Sequence, residues 1–112
     1  MEIGVEKKGK ITILKPRGDI RVGEGDVILR NAFQAQLDEG GGLFVLNLRD
    51  VRFIDSAGLG ELVASLKRVR EADGDLKLAQ VNKRVSEALV VTQLIKIVDV
   101  YDSESEAIAA FV

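Results

Sequence analysis

Leu43-Phe44-Val45-Leu46-Asn47-Leu48-Arg49-Asp50-Val51-Arg52-Phe53-Ile54-Asp55-Ser56-Ala57-Gly58-Leu59-Gly60 is the stretch on which the fold turns. Its first six residues are almost all apolar, the pattern of a central strand buried on both faces. Residues 50–54 read as a connection, and from about Ala57 to Ala72 the pattern becomes helical. Leu59, Leu62, Val63, Leu66 and Val69 recur at three- and four-residue spacing, with Lys67, Arg68, Arg70 and Glu71 off that stripe. A buried strand running straight into an amphipathic helix is the first half of a βαβ unit.

Toward the N-terminus, Asp26 to Glu39 reads as a helix through Leu29, Ala32, Phe33 and Leu37, with Asp26 as its cap and Gly40-Gly41-Gly42 as its stop. Lys10 to Lys15 is a β-branched strand that Pro16 ends or places at an edge, and Met1 to Glu6 is a weaker strand before it. Toward the C-terminus, Asp73-Gly74-Asp75 is a turn and Leu76 to Gln80 a strand. A helix is predicted from Arg84 to Gln93, with Val85, Ala88, Leu89 and Thr92 inward, then a short strand from Ile97 to Val100. Ser103, with Glu106 three residues later, opens a last helix to Phe111 by the capping-box spacing. The order ββαβαβαβα predicts an α/β fold: a mixed four- to five-stranded sheet with parallel central strands and about four helices. The 112 residues fit a single domain spanning 1–112.

Composition removes whole classes of chemistry. The chain has no cysteine and no histidine, so thiol nucleophiles, disulfides, cysteine zinc sites and Ser-His-Asp catalysis are excluded. Net charge is −2 with both signs interspersed, which gives no expectation of direct nucleic-acid binding. The opening MEIGVEKKGK lacks the apolar core of a signal peptide, and no apolar run is long enough for membrane insertion, so a cytoplasmic protein is expected. Gly58-x-Gly60 opens a helix after a strand, but Val63 stands where a dinucleotide fingerprint needs glycine or alanine. Gly23-x-Gly25, with Ile28 at the third place, is weaker still. No enzyme activity, cofactor or metal is expected. Asp73–Asp75 and Asp99–Asp102 match no calcium loop and read as turns, and Lys67-Arg68-Arg70 reads as a solvated helix face.

What remains is Ser56. It stands at the start of the second helix, where a phosphate would meet backbone N–H groups and the positive end of the helix dipole. A serine there also reads as a plain N-cap. Gly58 and Gly60 favour more than capping, because each costs a helix about 1 kcal/mol relative to alanine and opens the backbone to close approach.

Asp55-Ser56-Ala57-Gly58-Leu59-Gly60, preceded by Val45-Leu46-Asn47-Leu48 and Val51-Arg52-Phe53-Ile54, resembles the signature of STAS-domain anti-sigma factor antagonists. The likeness in order and spacing runs over nearly the whole chain, to the Ser103-Glu104-Ser105-Glu106-Ala107-Ile108 helix. The resemblance implies a partner-switching cycle. An anti-sigma factor that is also a serine kinase phosphorylates Ser56, the unmodified antagonist captures that kinase, and a phosphatase resets the switch. It implies a docking surface of Asp55, Ser56, Ala57, Gly58, Leu59 and Gly60, joined by Asp19 and Arg21, and a monomer or weak homodimer. Relatives sharing the fold serve instead as scaffolds of signalling complexes or accessory subunits of transporters. One departure stands out. Family members often carry Gly-Glu-Leu-Asp after the second strand, whereas here Gly18-Asp19-Ile20-Arg21 puts a base at the fourth place. The expectation is a partner of different surface charge, or else an exposed turn with free choice of charge.

Overall fold

The computed structural model describes residues 1–111 and sets five strands side by side in the order of the chain. They are β1 (Glu2–Lys8), β2 (Ile11–Arg17), β3 (Leu43–Asn47), β4 (Asp75–Ala79) and β5 (Asp99–Tyr101). β1 and β2 pair antiparallel across a turn at Gly9, whose φ of 62° suits glycine, and the remaining pairs are parallel. The helices are α1 (Gly25–Asp38), α2 (Ser56–Glu71), α3 (Lys83–Val91) and α4 (Glu104–Ala109), with a short 3-10 turn at Leu94–Lys96. The α/β reading of the sequence is what forms.

Alternation along each strand decides which helices cover which face. Leu14, Phe44, Leu46, Leu76 and Leu78 share a core with Leu29 and Phe33 of α1, Leu62, Leu66 and Val69 of α2, and Val85 and Leu89 of α3. The Phe33 and Phe44 rings meet edge-on, centroids 5.2 Å apart, a geometry worth about 0.5–1.5 kcal/mol beyond burial. Ile11, Ile13, Val45 and Ala79 point the other way, onto Ala107, Ile108 and Phe111 around α4.

Four local expectations change. Pro16 neither ends β2 nor lies at the edge: it pairs with Ile3 of β1. Pairing with β3 runs only from Ile11 to Leu14, so on that side the missing N–H interrupts no continuous ladder. Asp26 does not cap α1, which starts one residue earlier; its carboxylate accepts from the Val27 N–H at 2.9 Å. Thr92 is exposed at the end of α3, its hydroxyl donating to the Ala88 carbonyl at 2.7 Å, not facing the core. Ile97 is exposed on the connection, and the last strand begins at Asp99.

Candidate functional site

Because β2 and β3 are parallel neighbours, the connections that follow them leave from the same end of the sheet, where ligands and partners of such folds usually sit. Here the two connections stay zipped together. The Gly18 N–H donates to the Asp50 carbonyl at 3.1 Å, the Ile20 N–H to Phe53 at 3.0 Å, and the Asp55 N–H to Ile20 at 3.1 Å. Isolated parallel bridges join Arg17 to Asp50 and Ile20 to Ile54. With Ile20, Val51 and Ile54 buried beneath, residues 19–22 and 53–56 form one continuous surface.

Asp55, not Ser56, is the N-cap of α2. Its Oδ1 accepts from the Gly58 N–H at 2.8 Å and its Oδ2 from the Val22 N–H at 2.9 Å. These bonds, led by Gly58 and then Val22, hold the carboxyl below the usual range for aspartate, and Arg21 adds to the effect. One carboxylate therefore starts the helix and fastens the neighbouring connection to it. Ser56 is the first residue of α2 and is exposed. The helix-start donors are less open than the sequence implied, since Asp55 takes Gly58 directly and draws on the Ala57 N–H as well.

The two glycines do different work. A Cβ on Gly58 would stand 2.6 Å from the Ile20 carbonyl oxygen and 2.6 Å from Ile54 Cγ2, so this glycine lets the two connections meet. A Cβ on Gly60 would meet nothing within 4 Å. Gly60 is exposed with Ser56, Ala57 and Leu59 are half-buried, and Gly58 is buried. Leu59 packs against the main core.

Arg21 and Asp19 lie beside this helix start and pair with each other at 3.2 Å. The other Asp19 oxygen is enclosed and accepts no hydrogen bond. Arg21 also stands over the Phe53 ring, 4.8 Å from its centroid, and Arg84 stands over the same ring at 4.6 Å. Val22, next to Arg21, is 70% exposed. Val22 and Arg84 escape sequence reading, and Phe53 enters it only as part of the Val51–Ile54 stretch, with no role of its own. Arg84 joins because α3 begins here. The Asn82 side chain, N-cap of α3, donates to the Val51 carbonyl at 2.9 Å. Away from the site, Arg68 pairs with buried Glu61 at 2.7 Å, and Arg70 pairs with Asp75 at 3.1 Å, so that basic cluster is largely structural.

Comparison with known proteins places this geometry in context. The STAS domain family model matches residues 2–107. A Thermotoga neapolitana protein named as a homologue of the anti-sigma factor antagonist TM1081 is 35% identical over 98 residues, covering 88% of this chain and 87% of its own. The anti-sigma-B factor antagonist of Bacillus subtilis is 32% identical over 97 residues, covering 80% and 88%. The crystal structure of the Thermotoga maritima TM1081 protein superposes with a TM-score of 0.90 at 30% identity, covering 96% of this chain and 92% of that one.

Proposed function

The chain belongs to the STAS-domain family, and on that premise we propose that it is an anti-sigma factor antagonist switched by phosphorylation of Ser56. The observation that carries this reading is Ser56 itself: an exposed hydroxyl on the first residue of a 16-residue helix, held in place by the Asp55 cap. Unmodified, the surface of Asp19, Arg21, Val22, Asp55, Ser56 and Gly60 docks an anti-sigma factor that is also a serine kinase. Ala57, Gly58 and Leu59 shape that surface from below.

Phosphate on Ser56 adds about −1.5 to −2 charges next to the Asp55 carboxylate. Asp55 is ionised at neutral pH and bound to two backbone N–H groups, so it neither moves away nor neutralises the newcomer. The added charge and bulk at the centre of the interface release the kinase, with no refolding of the domain. A phosphatase then restores the hydroxyl. The test is intact and peptide mass mapping of the protein purified from its own cells, with Ser56→Ala alongside. Phosphate on Ser56 that disappears in the variant, with a kinase held only by the unmodified form, supports the switch. No phosphate under any growth or stress condition, and no kinase bound, would overturn it in favour of a scaffold role.

A further inference from the structure

Two guanidinium groups share one ring beside the switch serine. Arg21 and Arg84 stand 4.8 and 4.6 Å from the Phe53 centroid, one from the connection after β2 and the other from the first turn of α3. Cation–π attraction holds both, but it also gathers two like charges around a single aromatic side chain. Arg52 and Lys83 add two more positive charges from neighbouring positions, and all four cationic residues are exposed. Asn82 binds α3 to the carbonyls of Val51 and Arg52, so this grouping is built into the fold.

Among the described residues, little of this charge is paired. Arg21 has Asp19, but among the described residues Arg52, Lys83 and Arg84 form no ion pair. Other cations do find carboxylates: Lys15 has Glu6 and Glu104, Arg68 has Glu61, Arg17 has Glu2. Asp55, close enough to Arg21 to feel its charge, spends both oxygens on backbone N–H groups. An unbalanced basic patch on a protein of net charge −2 is local, and the rest of the surface would repel a polyanion.

From this, and resting on the partner-switching reading, we infer that Arg21, Phe53 and Arg84, flanked by Arg52 and Lys83, form a recognition patch for a carboxylate-rich segment of the partner protein. Planar guanidinium groups suit carboxylates, and arginines fixed over a ring lose less freedom on binding than free ones. The exposed Val22 supplies an apolar contact at the patch's edge. The patch also gives the switch a second arm. A phosphate on Ser56 competes with the partner's carboxylates for the same positive charge, so modification weakens the attraction as well as blocking the surface.

The test uses the full chain, isotopically labelled, titrated with decaglutamate and with decalysine while backbone amide shifts are followed. Decaglutamate should move the amides of residues 21, 53 and 84, decalysine should not, and high salt should abolish the effect. Arg21→Gln with Arg84→Gln should weaken decaglutamate by about tenfold or more. Shifts that fall elsewhere, or that persist unchanged in the double variant, would overturn the inference. So would a single-stranded DNA decamer that binds the patch more tightly than the peptide at equal charge. The two readings fail separately. If Ser56 is phosphorylated and the kinase binds the double variant as well as the wild type, only the acidic-partner inference falls. If Ser56 is never modified yet decaglutamate maps to the patch, the recognition patch stands and the switch falls.

Discussion

Gly58 faces Ile20 so closely that a methyl group built on it would stand 2.6 Å from the Ile20 carbonyl oxygen. That oxygen is already the acceptor for the Asp55 N–H at 3.1 Å, so the contact lies at the seam between the two connections that build the site.

Gly58→Ala should therefore destabilise the protein, by about 1–3 kcal/mol, because the obstacles are backbone and buried side chains that cannot swing aside. The variant should also loosen the seam. Faster amide exchange at Ile20 and Val22, with the strands unaffected, is the expected signature; unchanged exchange and an unchanged Tm would refute the packing role.

Gly60→Ala should do the opposite. Nothing occupies the space a Cβ would take, and alanine is the better helix former by about 0.8–1.0 kcal/mol. Tm should rise by a few degrees. If the partner approaches the backbone at this exposed position, the same variant should bind it more weakly despite being more stable. A calorimetric scan combined with a binding titration separates the two effects.

Asp55→Asn keeps a side chain able to cap α2 through one oxygen but loses an acceptor for the Val22 N–H. Asp55 titrates below its ordinary value when folded, so its contribution is whole above the unfolded pKa, about 3.9, and disappears as pH falls through the lower folded value. The Tm gap between wild type and Asp55→Asn should stay constant from neutral pH down to about pH 5 and narrow below about pH 4. A gap that holds steady through the acid range would show that ionisation of Asp55 contributes nothing.

Glu61 is 92% buried by side-chain area, counting its 8% exposure, and takes hydrogen bonds from Ser65 Oγ at 2.9 Å and Arg68 at 2.7 Å, with Arg30 of α1 at 3.8 Å. Glu61→Ala takes away the carboxylate that both the buried Ser65 hydroxyl and Arg68 donate to, leaving only the 3.4 Å bond from Arg68 to Ser65 Oγ, and should cost about 1–3 kcal/mol. Glu61→Met, which refills the volume, should cost less. Equal losses in chemical denaturation would mean that the charge network, and not packing, dominates at this point.

The sheet and helices were legible because their signals are periodic. The apolar run at Leu43–Leu48, the stripe of α2 and the Ser103 cap each express a local preference that the tertiary structure leaves in place: Ser103 Oγ does accept from the Glu106 N–H at 3.1 Å. What stayed hidden depends on contacts between distant segments. Gly58 and Gly60 look alike in sequence, and only the approach of Ile20 separates them. Asp55 and Ser56 are both good caps, and the choice fell to Asp55 because its backbone is extended, with ψ near 180°, while Ser56 is already helical. Arg84 reaches Phe53 only because α3 starts where Asn82 ties it down.

The strand order carries a consequence for how the molecule is made. Every strand lies beside the one synthesised just before it and the one synthesised just after, so no strand has to be threaded between two that are already paired. A nascent chain can add each strand to an edge that is already waiting, and the aggregation-prone wait for a late central strand never arises. By the time β4 has emerged from the ribosome, β2, β3 and α2 have all their neighbours except α3 and α4, and the serine is seated before the last residues are translated.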